Sequence, residues 1–330
     1  MFLIVLTHSF IWGMPFQAPK SSLMLNNLLY PLFSALSSFS VNCFVLISGY
    51  FLSKSYSPKC LKAGKIWFQT FFYSTLFWLV FRYALKRTDT SFFETTLPII
   101  NNPYWFVSQY LILLILSPFL ARFCDCLDKK SYQYLLLVLF ILTGAITSKF
   151  PFGVILFGSS HTPTFLFLFM LAGYLSRYEL PSCIEDNCGK IFLVIIAIHW
   201  IGGLFLNYWY RDTGFIYGAF SSSNSGLPLF SSSALLIWFR KQDWSKSGIA
   251  RAVASLAPYV FGVYLIHDNL FVRPFIWDKM RVFDYWDSYL FYPHLIAVCA
   301  VIFLAGVAID VVRSVLFRVP GIIKRNTFQR

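Results

Sequence analysis

His8 lies in the apolar run MFLIVLTHSFIWG that spans residues 1–13. An ionisable side chain in such a run is costly unless it faces a packed interior or a wet cavity, so it marks a candidate functional site. Its ring titrates near neutrality, which suits a general base or a transient acyl carrier. The structural alternative is a histidine packed against a neighbouring helix with both nitrogens satisfied. A second histidine, His267, ends the apolar run at 259–267 (YVFGVYLIH). His161, His199 and His294 have no comparable setting and read as structural or interfacial.

Four other features stand out. Ser48 and Gly49, within the run NCFVLISGYFL that ends the second span, remove bulk, so that either a helix or a ligand can approach closely. Lys54, Lys59, Lys62 and Lys65 follow at once. Lys62 and Lys65 are three apart and share one helical face. They serve either as an anchor to anionic lipid or as a clamp for the phosphates of a nucleotide-bearing donor. Tyr104, Trp105 and Gln109 open the run YWFVSQY; the aromatics suit an interfacial belt, whereas Gln109 is a less ordinary polar group for a membrane helix. Asp310 and Arg313, also three apart, are expected to pair with each other.

The elements that must position these groups are membrane helices. Hydrophobic residues make up 58% of the 330-residue chain and charged residues only 12%, against about 25% in a soluble domain. The class is therefore all-α, a polytopic bundle of about ten spans: 1–14, 29–53, 66–84, 104–122, 132–149, 163–178, 190–208, 226–240, 254–272 and 289–317. The segment 226–240, with its serines and Pro228, carries the weakest pattern. With both termini in the cytoplasm, most of the 27 basic residues fall in inside loops, as the positive-inside rule requires. The net charge of +13 thus reflects topology and no nucleic-acid partner. No loop is long enough for a soluble domain, so residues 1–330 read as one membrane domain. Seven cysteines without paired spacing imply neither a disulfide framework nor a metal site. There is no G-x-S-x-G, P-loop or H-E-x-x-H motif, which argues against a serine hydrolase, an ATPase and a zincin.

In order along the chain, the first-span run with His8, VLISGYFL at 45–52 with basic residues after it, YWFVSQYLILLILSPFL at 104–120, LFMLAGYLSR at 168–177 and FGVYLIH at 261–267 resemble the acyltransferase 3 family of bacterial membrane acyltransferases. The similarity is greatest to the set found in polysaccharide and O-antigen gene clusters. The resemblance implies transfer of an acyl group, usually acetyl, from cytoplasmic acyl-CoA to a sugar hydroxyl of a lipid-linked or cell-surface glycan at the bacterial inner membrane. Acetyl-CoA is then a co-substrate, and no tightly bound cofactor is expected. His8 matches the family's catalytic histidine. Lys62 and Lys65 match its paired basic residues, with Ser48 and Gly49 beside them on the acyl-CoA side. Tyr104, Trp105, Gln109 and His267 are assigned to the acceptor side. The family's arginine eleven residues before the histidine would precede Met1, and the first span is short, so Met1 is expected to be an internal methionine. The competing class is a flippase for a lipid-linked glycan, which the lack of an inverted repeat or paired broken helices disfavours.

Overall fold

The computed structural model describes residues 1–15, 20–86, 90–93, 97, 104–143, 161–209 and 222–327. Helices in chain order are α1 (Phe2–Trp12), α2 (Met24–Ser38), α3 (Ser40–Leu52), α4 (Cys60–Leu79), α5 (Trp105–Cys126), α6 (Lys129–Leu142), α7 (Thr162–Arg177), the short α8 (Ser182–Glu185), α9 (Cys188–Trp209), α10 (Gly226–Lys241), α11 (Gly248–Leu256), α12 (Val260–His267), α13 (Val272–Met280) and α14 (Phe291–Thr327). There is no strand among the described residues.

Each expected span overlaps a helix, and among the described residues five stretches are long and apolar enough to cross a bilayer: Met24–Leu52, Trp105–Cys126, Cys188–Asn207, Gly248–His267 and Phe291–Phe317. The segments 1–14, 66–84, 132–149, 163–178 and 226–240 form α1, α4, α6, α7 and α10, which are shorter or more polar; residues 144–149 lie outside the described residues. The expected span 254–272 ends early. Pro258 sits in a 3-10 turn at Ala257–Tyr259, and α12 stops at His267. Asn269 Oδ1 then accepts the N–H groups of Phe271 and Val272 at 3.0 and 3.4 Å, which starts a new helix, α13.

Local chemistry explains the helices that the pattern made doubtful. In α10, Pro228 occupies the first turn, where its missing N–H costs little. Ser231 donates to the Leu227 carbonyl and Ser233 to that of Leu229, at 2.9 and 2.7 Å, so the hydroxyls are satisfied within the helix. Pro118 inside α5 deprives the Leu114 carbonyl of its usual donor, and the Ser117 hydroxyl replaces it at 2.8 Å. Asp128 caps α6 by accepting from the N–H groups of Lys130 and Ser131, and its bonding to Ser131 holds its carboxyl below the usual carboxylate range.

The chain divides into two compact units. One comprises Phe16–Phe68 and Pro98–Gln242. Its seam joins α3 and α7, where a Cβ on Gly49 would stand 3.1 Å from both Ala172 Cβ and Phe169 Cα. At the end of α7, the Arg177 guanidinium donates to the carbonyls of Ser53 and Gly173 at 2.6 and 3.1 Å, and to Asp125 at 2.6 Å. A single cation thereby binds α3, α5 and α7 together at their C-terminal ends, where helix dipoles favour positive charge.

The other unit comprises Met1–Pro15, Gln69–Leu97 and Asp243–Arg330. Asp310 of α14, fully buried, pairs with Arg313 at 2.6 Å as its spacing implied. It also accepts from Tyr73 at 2.8 Å and Gln69 at 3.0 Å, both on α4. Its carboxylate packs directly on Gly262 of α12, and a Cβ there would overlap it. Gly262→Ala is therefore expected to destabilise the protein by about 1–3 kcal/mol, the usual cost of overpacking a core. A lowered melting temperature in detergent checks this; unchanged melting would show that α12 does not need close approach at this point.

Candidate active site

His8 stands on the second turn of α1, and His267 is the last residue of α12. Their rings meet, with His8 Nδ1 2.9 Å from His267 Nε2 and ring centroids 5.0 Å apart. The other nitrogen of His267, Nδ1, lies 2.6 Å from the Val263 carbonyl oxygen one turn earlier. A carbonyl only accepts, so His267 Nδ1 carries the proton. In the neutral dyad His267 Nε2 then presents a lone pair, and His8 Nδ1 must donate to it. This leaves the lone pair of His8 on Nε2. The orientation thus runs from a backbone carbonyl through one ring to the next, the base–orienter logic of nucleophilic and acid–base sites.

An acid stands beside the pair. Asp268 Oδ1 is 3.7 Å from His8 Nδ1 and 3.3 Å from Nη1 of Arg273, and its side chain is only 5% exposed. Arg273 in turn sits over the Trp12 indole, 3.9 Å from the ring centre, which holds the cation by a second contact. A proton accepted by His8 would create positive charge next to the Asp268 carboxylate, while Arg273 prevents that carboxylate from standing unpaired before it arrives. The arrangement can deprotonate a hydroxyl or accept an acyl group at His8 Nε2.

The ring of His267, expected on the acceptor side, touches His8 directly. Tyr104, Trp105 and Gln109 belong to a cluster in the other unit. Trp105 packs tilted against His161 with centroids 4.2 Å apart, His161 Nδ1 lies 3.0 Å from Asn224 Oδ1, Gln109 accepts from Thr162, and Tyr104 is buried. His161 is thus a packed member of an aromatic cluster, as expected for a structural histidine. Ser48 accepts from Tyr110 at 3.2 Å, and Gly49 serves the α3–α7 seam. Lys62 and Lys65 are both exposed in the first two turns of α4. The sequence reading missed Asp268, Arg273 and Trp12. The signal was present in the acid immediately after His267 in so apolar a chain, because intramembrane carboxylates are functional by default.

The histidine pair thus lies in an all-helical protein with helices long and apolar enough to cross a bilayer. The chain matches the acyltransferase 3 family model, described as an acyltransferase domain, over residues 1–311, and so belongs to that family. No curated protein and no solved structure matches it significantly.

The proton assignment is open to direct test. With ring nitrogens labelled, nitrogen NMR is expected to show His267 protonated at Nδ1 and His8 protonated at Nδ1. His267→Ala removes the acceptor and should release His8 to the mixed tautomers of a free imidazole. A His8 spectrum indifferent to His267→Ala would break the orientation chain.

Proposed function

We propose that this membrane acyltransferase moves an acyl group, acetyl in the simplest case, from acyl-CoA to a sugar hydroxyl of a lipid-linked or cell-surface glycan. The observation that carries the proposal is the oriented His8–His267 pair in a chain of the acyltransferase 3 family. In the reaction the sugar O–H gives its proton to His8 Nε2 as the oxygen attacks the thioester carbonyl. The C–O bond forms, the C–S bond breaks, and the leaving thiolate takes the proton back from the imidazolium. Asp268 opposes the transient positive charge at 3.7 Å. A two-step route uses the same atom: His8 Nε2 attacks the thioester carbonyl and the C–S bond breaks to release the thiolate, after which the sugar oxygen attacks the acyl carbon, the C–N bond breaks, and the sugar proton passes to the thiolate.

Lys62 and Lys65 support the donor side. They are exposed in the opening turns of α4, whose first turn contains no acidic residue, so the helix N-terminus and two ammonium groups form an electropositive surface for CoA phosphates. As point charges they hold phosphate without the forked geometry of arginine. The acceptor and the localisation to a bacterial inner membrane rest on the family resemblance.

The test uses surface polysaccharide from cells lacking the gene, complemented with the chain or with His8→Ala, together with thiol release from acetyl-CoA by purified protein in nanodiscs. The chain is expected to restore alkali-labile acyl signals in the proton NMR spectrum. His8→Ala is expected to lower acyl transfer by about 10²–10⁴-fold, the usual contribution of a general base. Equal transfer by both would remove His8 from the chemistry. Dependence of polymer export on the gene without any acylation would replace the transferase by a flippase.

A further inference from the structure

α11 (Gly248–Leu256) is a capped helix that the rest of its unit does not cover. The Ser247 hydroxyl accepts the N–H of Ala250 at 3.2 Å and so satisfies one donor of the first turn. No residue of the helix is buried. Ile249 and Val253 are 79% and 63% exposed. With Leu256 they recur at helical spacing and form one apolar stripe, while Arg251 and Ser255 fall on the opposite face. Nine residues gain little stability from their own hydrogen bonds, so such a helix needs a surface for its apolar stripe.

The register of its neighbours says which surface. α11 passes through the 3-10 turn Ala257–Tyr259 into α12. α12 packs antiparallel on α14, with Gly262 against Asp310 and Val263 against Gly306. The apolar stretch of α14 runs from Phe291 to Phe317, and Arg313 is the first lysine or arginine within it. Arg313 stands about one turn beyond Asp310, level with the 3-10 turn that precedes Gly262. Cations of this kind gather where a helix leaves the hydrocarbon, so α11 begins at the depth of the lipid headgroups. Pro258 interrupts the helical ladder in the turn, which lets α11 depart from the axis of α12.

Charge narrows the partner. Lys246 and Arg251 are exposed, and neither has a partner among the described residues. Lys246 comes just before the cap, where it adds to the positive end of the helix dipole and does not offset it. Asp243, the one carboxylate of residues 243–256, is turned back on the N–H of Ser245 at 2.9 Å. Trp244 is 40% exposed and has the amphipathic ring that favours a membrane–water boundary. We infer that α11 is a surface anchor for anionic phospholipid. Its Ile249–Val253–Leu256 stripe dips below the headgroups, and Lys246 and Arg251 meet their phosphates. The anchor joins, through one turn, the helix whose last residue is His267. It stands or falls independently of acyl transfer.

Hydrogen exchange read by mass spectrometry on the full chain tests this, in nanodiscs of phosphatidylcholine alone and of phosphatidylcholine with phosphatidylglycerol. The anionic lipid is expected to raise the protection of the α11 amides by about fivefold for each cation at the surface. Lys246→Gln with Arg251→Gln should remove that gain, and so should 1 M salt, which screens charges beyond about 3 Å. Val253→Gln, which leaves the charge unchanged, should lower protection in both bilayers. Unaltered exchange of α14 in the same samples shows that a variant is folded; if Val253→Gln disturbs α14, Ile249→Ser replaces it. Equal protection in the two bilayers, a gain that survives the double substitution, or indifference to loss of the apolar stripe would overturn the anchor. Protection that appears in neutral detergent and grows with protein concentration would also overturn it, by assigning the stripe to a second copy of the chain.

Discussion

A chain this apolar must satisfy its own polar groups, because the hydrocarbon around it offers no hydrogen bonds. Much of the structure follows from that constraint. The Ser117 hydroxyl takes over the carbonyl that Pro118 leaves without a donor. The serines of α10 bond back to their own helix. Arg177 divides its donors between two helix-terminal carbonyls and one carboxylate, and the buried Asp310 collects donors from Tyr73, Gln69 and Arg313. The same demand shapes the candidate site. The Val263 carbonyl already receives the N–H of His267 through the ring, and that single bond decides which nitrogen of each histidine is free.

The site also balances its charges locally. A carboxylate placed 3.7 Å from an imidazole would by itself be an expensive buried charge. Arg273 neutralises it at 3.3 Å, and Trp12 spreads contact over the guanidinium face. The carboxylate beside the histidine is therefore paired, and in the proposed reaction it would be the counter-charge to a protonated His8. Replacing the arginine by a compact ammonium would preserve charge but lose the planar stack on the indole, because only the guanidinium is flat.

Several of these features were legible in the residues alone. The apolar composition gave an all-helical membrane chain, His8 stood out as an ionisable group in an apolar run, and the three-residue spacing of Asp310 and Arg313 announced their pairing. The ordered motifs pointed to the family that residues 1–311 match. What could not be read was set by contacts distant in sequence. Nothing in the spacing of His8 and His267, 259 residues apart, says that their rings touch. The end of α12 at His267 depends on Asn269 capping the next helix, a side-chain bond invisible to hydropathy. Gly49 offered either packing or ligand approach, and its contact with Ala172 and Phe169 is a helix seam. Asp268 and Arg273 were visible as letters, but they gained meaning only once the fold set them beside His8.

The position of His267 is set less by its own helix than by the one behind it. α12 has eight residues, too few to hold a helix on their own. It is held by α14 through two glycine contacts, Gly262 against the Asp310 carboxylate and Gly306 against Val263, whose Cα would stand 3.0 Å from a Cβ at 306. Val263 therefore has two tasks. Its Cα and side chain seat α12 on α14, and its carbonyl orients the His267 ring. Movement at that seam would be carried directly to the acceptor that fixes the imidazole proton. The two glycines and Asp310 sit within the packed core of this unit, and the histidines lie at the end of the helix they place. Packing between α12 and α14 is thus what converts the register of an apolar helix pair into the proton arrangement of a candidate active site.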